Sequence, residues 1–304
     1  MLKFKQKFID RYSELTDFDA FKEYSEKRIR KSFRVNTLKS TVSNTKKRLE
    51  KYFEVEPVPW CKEGFFIKDT KRIAVGNLRE YMLGYIYIQE ASSMIPPTIL
   101  KPKPGDFVLD MAAAPGSKTT QMAAMMKNEG LLIANDYKYD RLKSLSSNLQ
   151  RCGVANTATT LQEGRFFKGF SFDKVLLDAP CSGTGTLRKS PYTLETWNPN
   201  AIRRIAGTQR QLIKSAFENL KSGGTLTFST CTLEPEENEM TVDYLLDTFD
   251  NAKLQKINID IKSSKPVEEF EGKKFTSEVK KCLRIWPQDN NTDGFFVSKI
   301  KKKK

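Results

Sequence analysis

The stretch FVLDMAAAPGSKTTQMAAMM (107–126) decides the fold. FVLD (107–110) reads as a buried strand, AAAPGS (112–117) as a turn of small residues, and TTQMAAMMKN (119–128) as a helix. The alternation then repeats. LLIAND (131–136) leads to a helix near 139–151, TATTL (157–161) follows, DKVLLD (173–178) precedes a long helix at 200–220, and GTLTFS (224–229) precedes a helix near 235–249. Strands alternating with helices predict an α/β chain with a doubly wound, mostly parallel sheet covered on both faces. Strands near 282–286 and 294–300 complete it, after a charged, poorly patterned stretch at 262–280.

Ahead of this sheet the pattern differs. Charged helices are expected at 2–14 and 17–29, a strand at SFRVNTL (32–38), a helix at SNTKKRLEKY (43–52) and short strands near 54–58 and 65–69. The segment MIPPTILKPKPGD (94–106) has four prolines, which break regular structure and mark a junction. The expected division is a small α+β domain over 1–93 and a second domain over 94–304.

Composition narrows the function. Lys+Arg 52 against Asp+Glu 37 gives a net charge of +15, and residues 299–304 read KIKKKK. This balance favours a polyanionic partner, since each neutralised phosphate releases counterions. The five cysteines are scattered without a C-x-x-C pair, so neither a disulfide framework nor a zinc site is readable, and no metal is expected. The chain has no histidine, which removes Ser-His and Cys-His hydrolases. The apolar run YMLGYIYIQ (81–89) is far shorter than the roughly 20 residues of a membrane span. The expectation is a cytoplasmic monomer with no membrane partner.

DMAAAPGSKT (110–119) lies where the first strand of the sheet turns into its helix, the place at which such sheets bind nucleotide-like cofactors. It lacks G-x-G-x-x-G and the P-loop pattern, which disfavours a dinucleotide or a triphosphate. Asp136 ends the next strand, where a carboxylate can accept both hydroxyls of a ribose. After the fourth strand the chain reads DAPC (178–181), with a sulfur where an amine-directed methyltransferase has an aromatic ring. A sulfur suits carbon 5 of a pyrimidine. If a thiolate adds to carbon 6 while an acid holds N3, carbon 5 becomes enamine-like and can attack an electrophilic methyl.

These residues resemble the Sun-type RNA cytosine-5 methyltransferases, which use S-adenosylmethionine. The likeness rests on DMAAAPGSKT, DAPCSGTGTLRKSP (178–191), STCTLEPEENE (229–239), GYIYIQEASSMIPPTIL (84–100), RIWPQDNNTDGFFVSKI (284–300) and RVNTLK (34–39). It implies a class I, Rossmann-like methyltransferase domain behind an RNA-recognition-like module. It further implies that Cys231 attacks carbon 6, that Cys181 helps to resolve the covalent adduct, that Asp178 sits between cofactor and cytosine, and that Lys118 helps the electrostatics near the thiolate. Ala112, Ala113, Ala114, Pro115, Gly116, Ser117 and Lys118 would wrap the methionine and sugar, with Asp136 on the ribose, Glu163 by the adenine and Arg141 supporting the pocket. The chain departs from the family's usual residues at Ala112, Ser117, Glu163 and Gln288, where Cys, Gly, Asp and His are common.

The implied product is 5-methylcytosine, in tRNA by preference and in rRNA as the alternative. The rival of a different class is a non-catalytic RNA-binding protein that retains the fold. Cys61, Cys152 and Cys282 read as packing residues. Trp60, Phe65 and Phe66 are open between stacking on bases and core packing.

Overall fold

A computed structural model describes residues 2–68 and 74–304. Helices α1 (Gln6–Leu15) and α2 (Phe18–Glu26) place Phe8, Tyr12 and Phe21 on buried faces. Asp17 starts α2 by accepting from the Ala20 amide at 3.1 Å, satisfying one of the orphan donors of the first turn. Phe8 meets Trp197 edge-on, and Tyr12 and Phe21 meet Trp286. Both helices therefore pack on the C-terminal part of the chain rather than on the small sheet that follows them.

That sheet contains β1 (Ser32–Val35), β2 (Glu54–Val58), β3 (Cys61–Lys68) and β4 (Ile86–Ile88), in the antiparallel order β2-β3-β1-β4. Helix α3 (Val42–Leu49) joins β1 to β2, and the short α4 (Arg79–Met82) precedes β4. The period of two in β1 explains its double burial. Phe33 and Val35 enter an apolar cluster with Leu49, while Arg34 points the other way. Arg34 donates to Gln89 Oε1 at 2.9 Å and to Thr120 Oγ1 at 2.9 Å, which ties this sheet to the larger one. Trp60, Phe65 and Phe66 are buried, and Trp60 Nε1 donates to the Ala91 carbonyl, so these rings are core. The expected strand at 65–69 runs Cys61–Lys68; residue 69 lies outside the described residues.

The proline-rich junction is more regular than its composition suggests. Helix α5 (Ile95–Leu100) takes Pro96 and Pro97 in its first turn, where a missing N–H removes no helical hydrogen bond. The rest alternates as expected: β5 (Phe107–Asp110), α6 (Ser117–Met125), β6 (Leu131–Asp136), α7 (Tyr139–Cys152), β7 (Thr157–Leu161), β8 (Phe172–Asp178), a short α8 (Tyr192–Thr196), α9 (Pro199–Glu218), β9 (Leu220–Thr230) and α10 (Glu239–Thr248). The chain closes with β10 (Ala252–Leu254), the β11 (Glu269–Phe270) and β12 (Lys273–Lys274) hairpin, β13 (Leu283–Ile285), α11 (Pro287–Asn290) and β14 (Phe295–Lys302).

The large sheet has the order β10-β14-β9-β8-β5-β6-β7, with β13 beside β14. β9, β8, β5, β6 and β7 are parallel, whereas β14 is antiparallel to β9. From β5 the chain winds outward to β7, then returns to β8 on the other side of β5. The crevice at the carboxyl ends of β5 and β8 is thus the topological switch point of the sheet.

A buried ion pair fixes the loop after β9. Arg284 on β13 donates to both carboxylate oxygens of Glu239 at 2.8 and 2.6 Å and to the Leu233 carbonyl at 2.8 Å. Both side chains are removed from solvent. Arg284→Met leaves the Glu239 charge buried without its partner, and urea unfolding is expected to show a loss of about 3–5 kcal/mol. Adding Glu239→Gln should return most of it.

Candidate active site

The turn after β5 makes a narrow cradle. Gly116, at φ +103°, starts α6 in a left-handed conformation that a side chain would strain. Asp110 is buried; its Oδ2 accepts from Thr119 Oγ1 at 2.7 Å, and its Oδ1 has no partner among the described residues. Burial pushes its carboxyl up to about 7. Asp136 at the end of β6 accepts from the Ala114 amide at 3.2 Å and the Lys138 amide at 3.1 Å. Arg141 on α7 lies 3.3 Å from the Asp136 carboxylate and also donates to the Ala114 carbonyl, so it closes the edge of the cradle.

Asp110, Ala112, Ala113, Ala114, Pro115, Ser117, Lys118 and Asp178 line one small cavity. Its donor set suits a ligand with a carboxylate and a ribose: amides at a helix start, small side chains beside the backbone, and a buried acid at the end of each of β5 and β6. Glu163 stands apart from this group. It follows β7, and its carboxylate is paired with Arg165 at 2.5 Å.

Lys118, in the first turn of α6, crosses the crevice. Its ammonium donates to Asp178 Oδ2 at 2.7 Å and to Ser93 Oγ at 2.9 Å. Burial opposes that charge, but Asp178, Asp110 and Cys231 act on it in the opposite sense and hold the ammonium above its usual range. The other Asp178 oxygen accepts from Ser229 Oγ at 2.7 Å. The sequence offered Lys118 as a neighbour of a thiolate; its direct partner is Asp178.

The two sulfurs meet because of strand register. β8 and β9 are parallel neighbours with Asp178 opposite Ser229, so Cys181 and Cys231 leave the sheet side by side. Their sulfurs are 3.3 Å apart. The hydrogen bond to Cys231, then burial, raises the Cys181 thiol well above its ordinary value, so Cys181 is neutral near pH 7. Gly185 permits this closeness: its amide donates to the Cys231 carbonyl at 3.0 Å, and a Cβ there would lie 2.3 Å from the Gly294 carbonyl oxygen.

A buried polar clamp that sequence reading missed surrounds the sulfurs. Gln209 on α9 donates to the Pro180 carbonyl at 2.8 Å and to Glu237 at 3.0 Å; Glu237 also accepts from the Ser182 amide at 3.0 Å. Both peptide groups flanking Cys181 are thereby held from one side. Thr232, next to Cys231, bonds Ser182 Oγ at 2.7 Å and Thr184 Oγ1 at 2.9 Å. Glu234 accepts from Tyr12 at 2.8 Å and Trp197 at 2.9 Å and pairs with Arg11. The signal was an acidic run, EPEENE (234–239), directly after a buried strand in a basic chain.

Cys61, Cys152 and Cys282 are buried, and burial raises all three thiols, Cys61 to about 11. Among the described residues no group of three or more His, Cys, Asp or Glu could hold a metal ion, and no helix is long and apolar enough to cross a membrane.

Comparison with known proteins agrees with this fold. The family profile described as 16S rRNA methyltransferase RsmB/F matches residues 97–301, and that of the N-terminal domain of 16S rRNA methyltransferase RsmF matches residues 4–91. A tRNA (cytosine(49)-C(5))-methyltransferase of Pyrococcus abyssi is 50% identical over 99% of this chain and 97% of its own. Ribosomal RNA small subunit methyltransferase F of Aliivibrio salmonicida is 47% identical over 93% of this chain and 60% of its own, so the chain spans about three-fifths of that relative. Among solved structures, a methyltransferase homolog from Pyrococcus horikoshii superposes with a TM-score of 0.89 at 38% identity, covering 99% of this chain and 96% of that one. NSun6 from the same organism shares the fold, with a TM-score of 0.87 at 24% identity over 100% of this chain and 99% of that one.

Burial pushes Glu237 up to about 7 from an ordinary 4.5. A carboxyl raised on folding costs stability as pH rises from its unfolded value to its folded one, and the cost is constant above that. Between pH 5 and pH 8 the stability of Glu237→Gln relative to wild type is therefore expected to rise by about 2 kcal/mol, read by urea unfolding at the two pH values.

Proposed function

The chain belongs to the RsmB/F family of methyltransferases, and we propose that it transfers a methyl group from S-adenosylmethionine to carbon 5 of cytosine in RNA. The observation that carries this reading is the pair of sulfurs 3.3 Å apart beside the Lys118–Asp178 pair at the sheet's switch point. A binding protein has no need of two thiols held together at such a site.

S-adenosylmethionine supplies the electrophilic methyl group. In this reading the turn 112–118 holds its methionine end, Asp136 its ribose, Glu163 the adenine side, and Arg141 the rim. Cys231 adds to carbon 6 of the cytosine and N3 takes up a proton, and Asp178 accepts from N3–H and the exocyclic amine, so that the ring accepts the electron pair. Lys118 keeps Asp178 in place and lends positive charge near Cys231. Once carbon 5 is methylated its proton passes to solvent water, the carbon–sulfur bond breaks and its electrons return to Cys231. Cys181, neutral and in contact with that sulfur, can donate its S–H to the departing thiolate. A target cytosine that is paired or stacked must first be flipped out, at about a few kcal/mol.

Transfer RNA is the preferred substrate, supported by the end-to-end match to the Pyrococcus abyssi relative. Ribosomal RNA is the second reading, supported by the family profiles and the RsmF relatives. Residues 1–93 form the RNA-binding module and 94–304 the methyltransferase. The enzyme works in the cytoplasm as a monomer and needs no metal.

With labelled S-adenosylmethionine and unmodified tRNA transcripts, wild type is expected to place label in 5-methylcytosine and Cys231→Ala to place none. Label in another nucleoside, or undiminished label in Cys231→Ala, overturns the assignment. Cys181→Ala should build up a protein–RNA adduct that survives a denaturing gel. Gln209→Ala, which frees the peptide groups around Cys181, should show the same adduct more weakly, with turnover about tenfold down and methyl transfer in a single turnover less affected.

A further inference from the structure

A cavity to which this mechanism gives no role lies beside the N-terminal sheet. It measures about 430 Å³ and lies at the seam between the N-terminal sheet and the loop that follows Cys181. β1 is antiparallel to β3 and β4, so the start of β1 and the ends of β3 and β4 share one rim, and the cavity opens there. Ile67, Val75 and Ile88 supply apolar walls, and Ile88 is 42% exposed although it is a large aliphatic side chain. Arg30 and Lys189 supply cationic groups. The Arg30 guanidinium lies 3.6 Å from the centre of the Phe66 ring and donates to the Asn290 carbonyl at 2.8 Å; its buried Nε has no acceptor among the described residues.

The cavity adjoins the reaction site. Glu90, on its wall, accepts from the Ser93 amide at 3.3 Å; Ser93 Oγ accepts from Lys118 at 2.9 Å, and Lys118 is bound to Asp178 at 2.7 Å. Lys189 belongs to the same loop as Cys181 and pairs with Asp293 at 2.5 Å. A ligand here is linked to whatever lies against Asp178 through the Glu90–Ser93–Lys118 chain of hydrogen bonds. Apolar walls with a few charged groups, in a volume of this size, fit a flat heteroaromatic ring carrying an anionic group. In a chain of net charge +15 that is a nucleotide.

Resting on the RNA-methylation reading, we propose that this cavity takes the base of a nucleotide flanking the target cytosine in the same strand. Ile67, Val75 and Ile88 pack against the ring, and Arg30 and Lys189 meet its phosphates. Apolar side chains hold extruded bases in this way. The cavity then sets which sequence context around the cytosine is methylated, and the N-terminal sheet contributes directly to substrate choice.

The test uses single-stranded RNA carrying the target cytosine, with an abasic nucleotide placed in turn at each flanking position. Methylation and, separately, binding by fluorescence anisotropy are measured for wild type, Ile88→Ala and Val75→Phe. Ile88→Ala removes a half-exposed wall, and Val75→Phe fills the space. In wild type one abasic position should raise KM and Kd about tenfold with kcat unchanged, the size expected for losing one packed base. In both variants that position should cost less than twofold, because the contact is already gone. Abasic penalties equal in wild type and variants at every position would overturn the proposal. If wild type methylates no RNA, the activity reading fails; the anisotropy series still decides whether the cavity holds a base.

Discussion

The parallel register of β8 and β9 is the constraint on which the site depends. With Asp178 opposite Ser229, an acid and two sulfurs from segments 50 residues apart arrive at one crevice. The loops beyond the strands must then pass very close to each other. Gly185 and Gly294 allow it, since Gly294 donates to the Gly185 carbonyl at 2.8 Å, a Cβ on Gly185 would lie 2.3 Å from the Gly294 carbonyl oxygen, and one on Gly294 would press on Gly185 Cα at 3.0 Å. Catalytic geometry here is a consequence of sheet pairing, and the glycines are its steric condition.

A second layer stops the loops from relaxing apart. Glu234, Glu237 and Glu239 are buried, and each is answered by donors from a distant part of the chain: Arg11, Tyr12 and Trp197 for the first, Gln209 and Ser182 for the second, Arg284 for the third. Buried carboxylates this close together, Glu236 among them, would be untenable without such donors. One donor set comes from α1 and another from β13, so the loop after Cys231 is held by segments from both ends of the sequence. This explains why α1 and α2 pack across the boundary expected at 93/94.

Much of this was legible in advance. β5, β6 and β8 announced themselves as short apolar runs, and small residues with a Pro-Gly pair marked the cradle, because those signals are local. What escaped reading depends on partners far away. Pro96 and Pro97 read as breakers, yet their place in the first turn of α5 makes them helix starters. β4 is three residues long and forms only because β1 is there to pair with it. Gln209 looks like any polar residue of an amphipathic helix; its importance lies in the carbonyl of Pro180, which no spacing rule connects to it. Lys118 was visible as a cation near the site, but its bond to Ser93 depends on how the two sheets dock.

Doing this chemistry without histidine places the proton problem on the sulfurs themselves. A lone buried thiol is a poor nucleophile, because burial raises its pKa, as it does for Cys61. Two thiols in contact divide the difficulty unequally. If one becomes the thiolate, the other is a hydrogen-bond donor already in position, and its own ionisation is suppressed by the neighbouring charge. The upward shift of Cys181, led by its bond to Cys231, is this asymmetry expressed in one structure. The pair therefore needs no imidazole, since the sulfur that does not attack keeps the proton that the other must recover when the product leaves. What the protein must supply is a fixed sulfur–sulfur distance, and the strand register, the two glycines and the Gln209–Glu237 clamp all act on that single length.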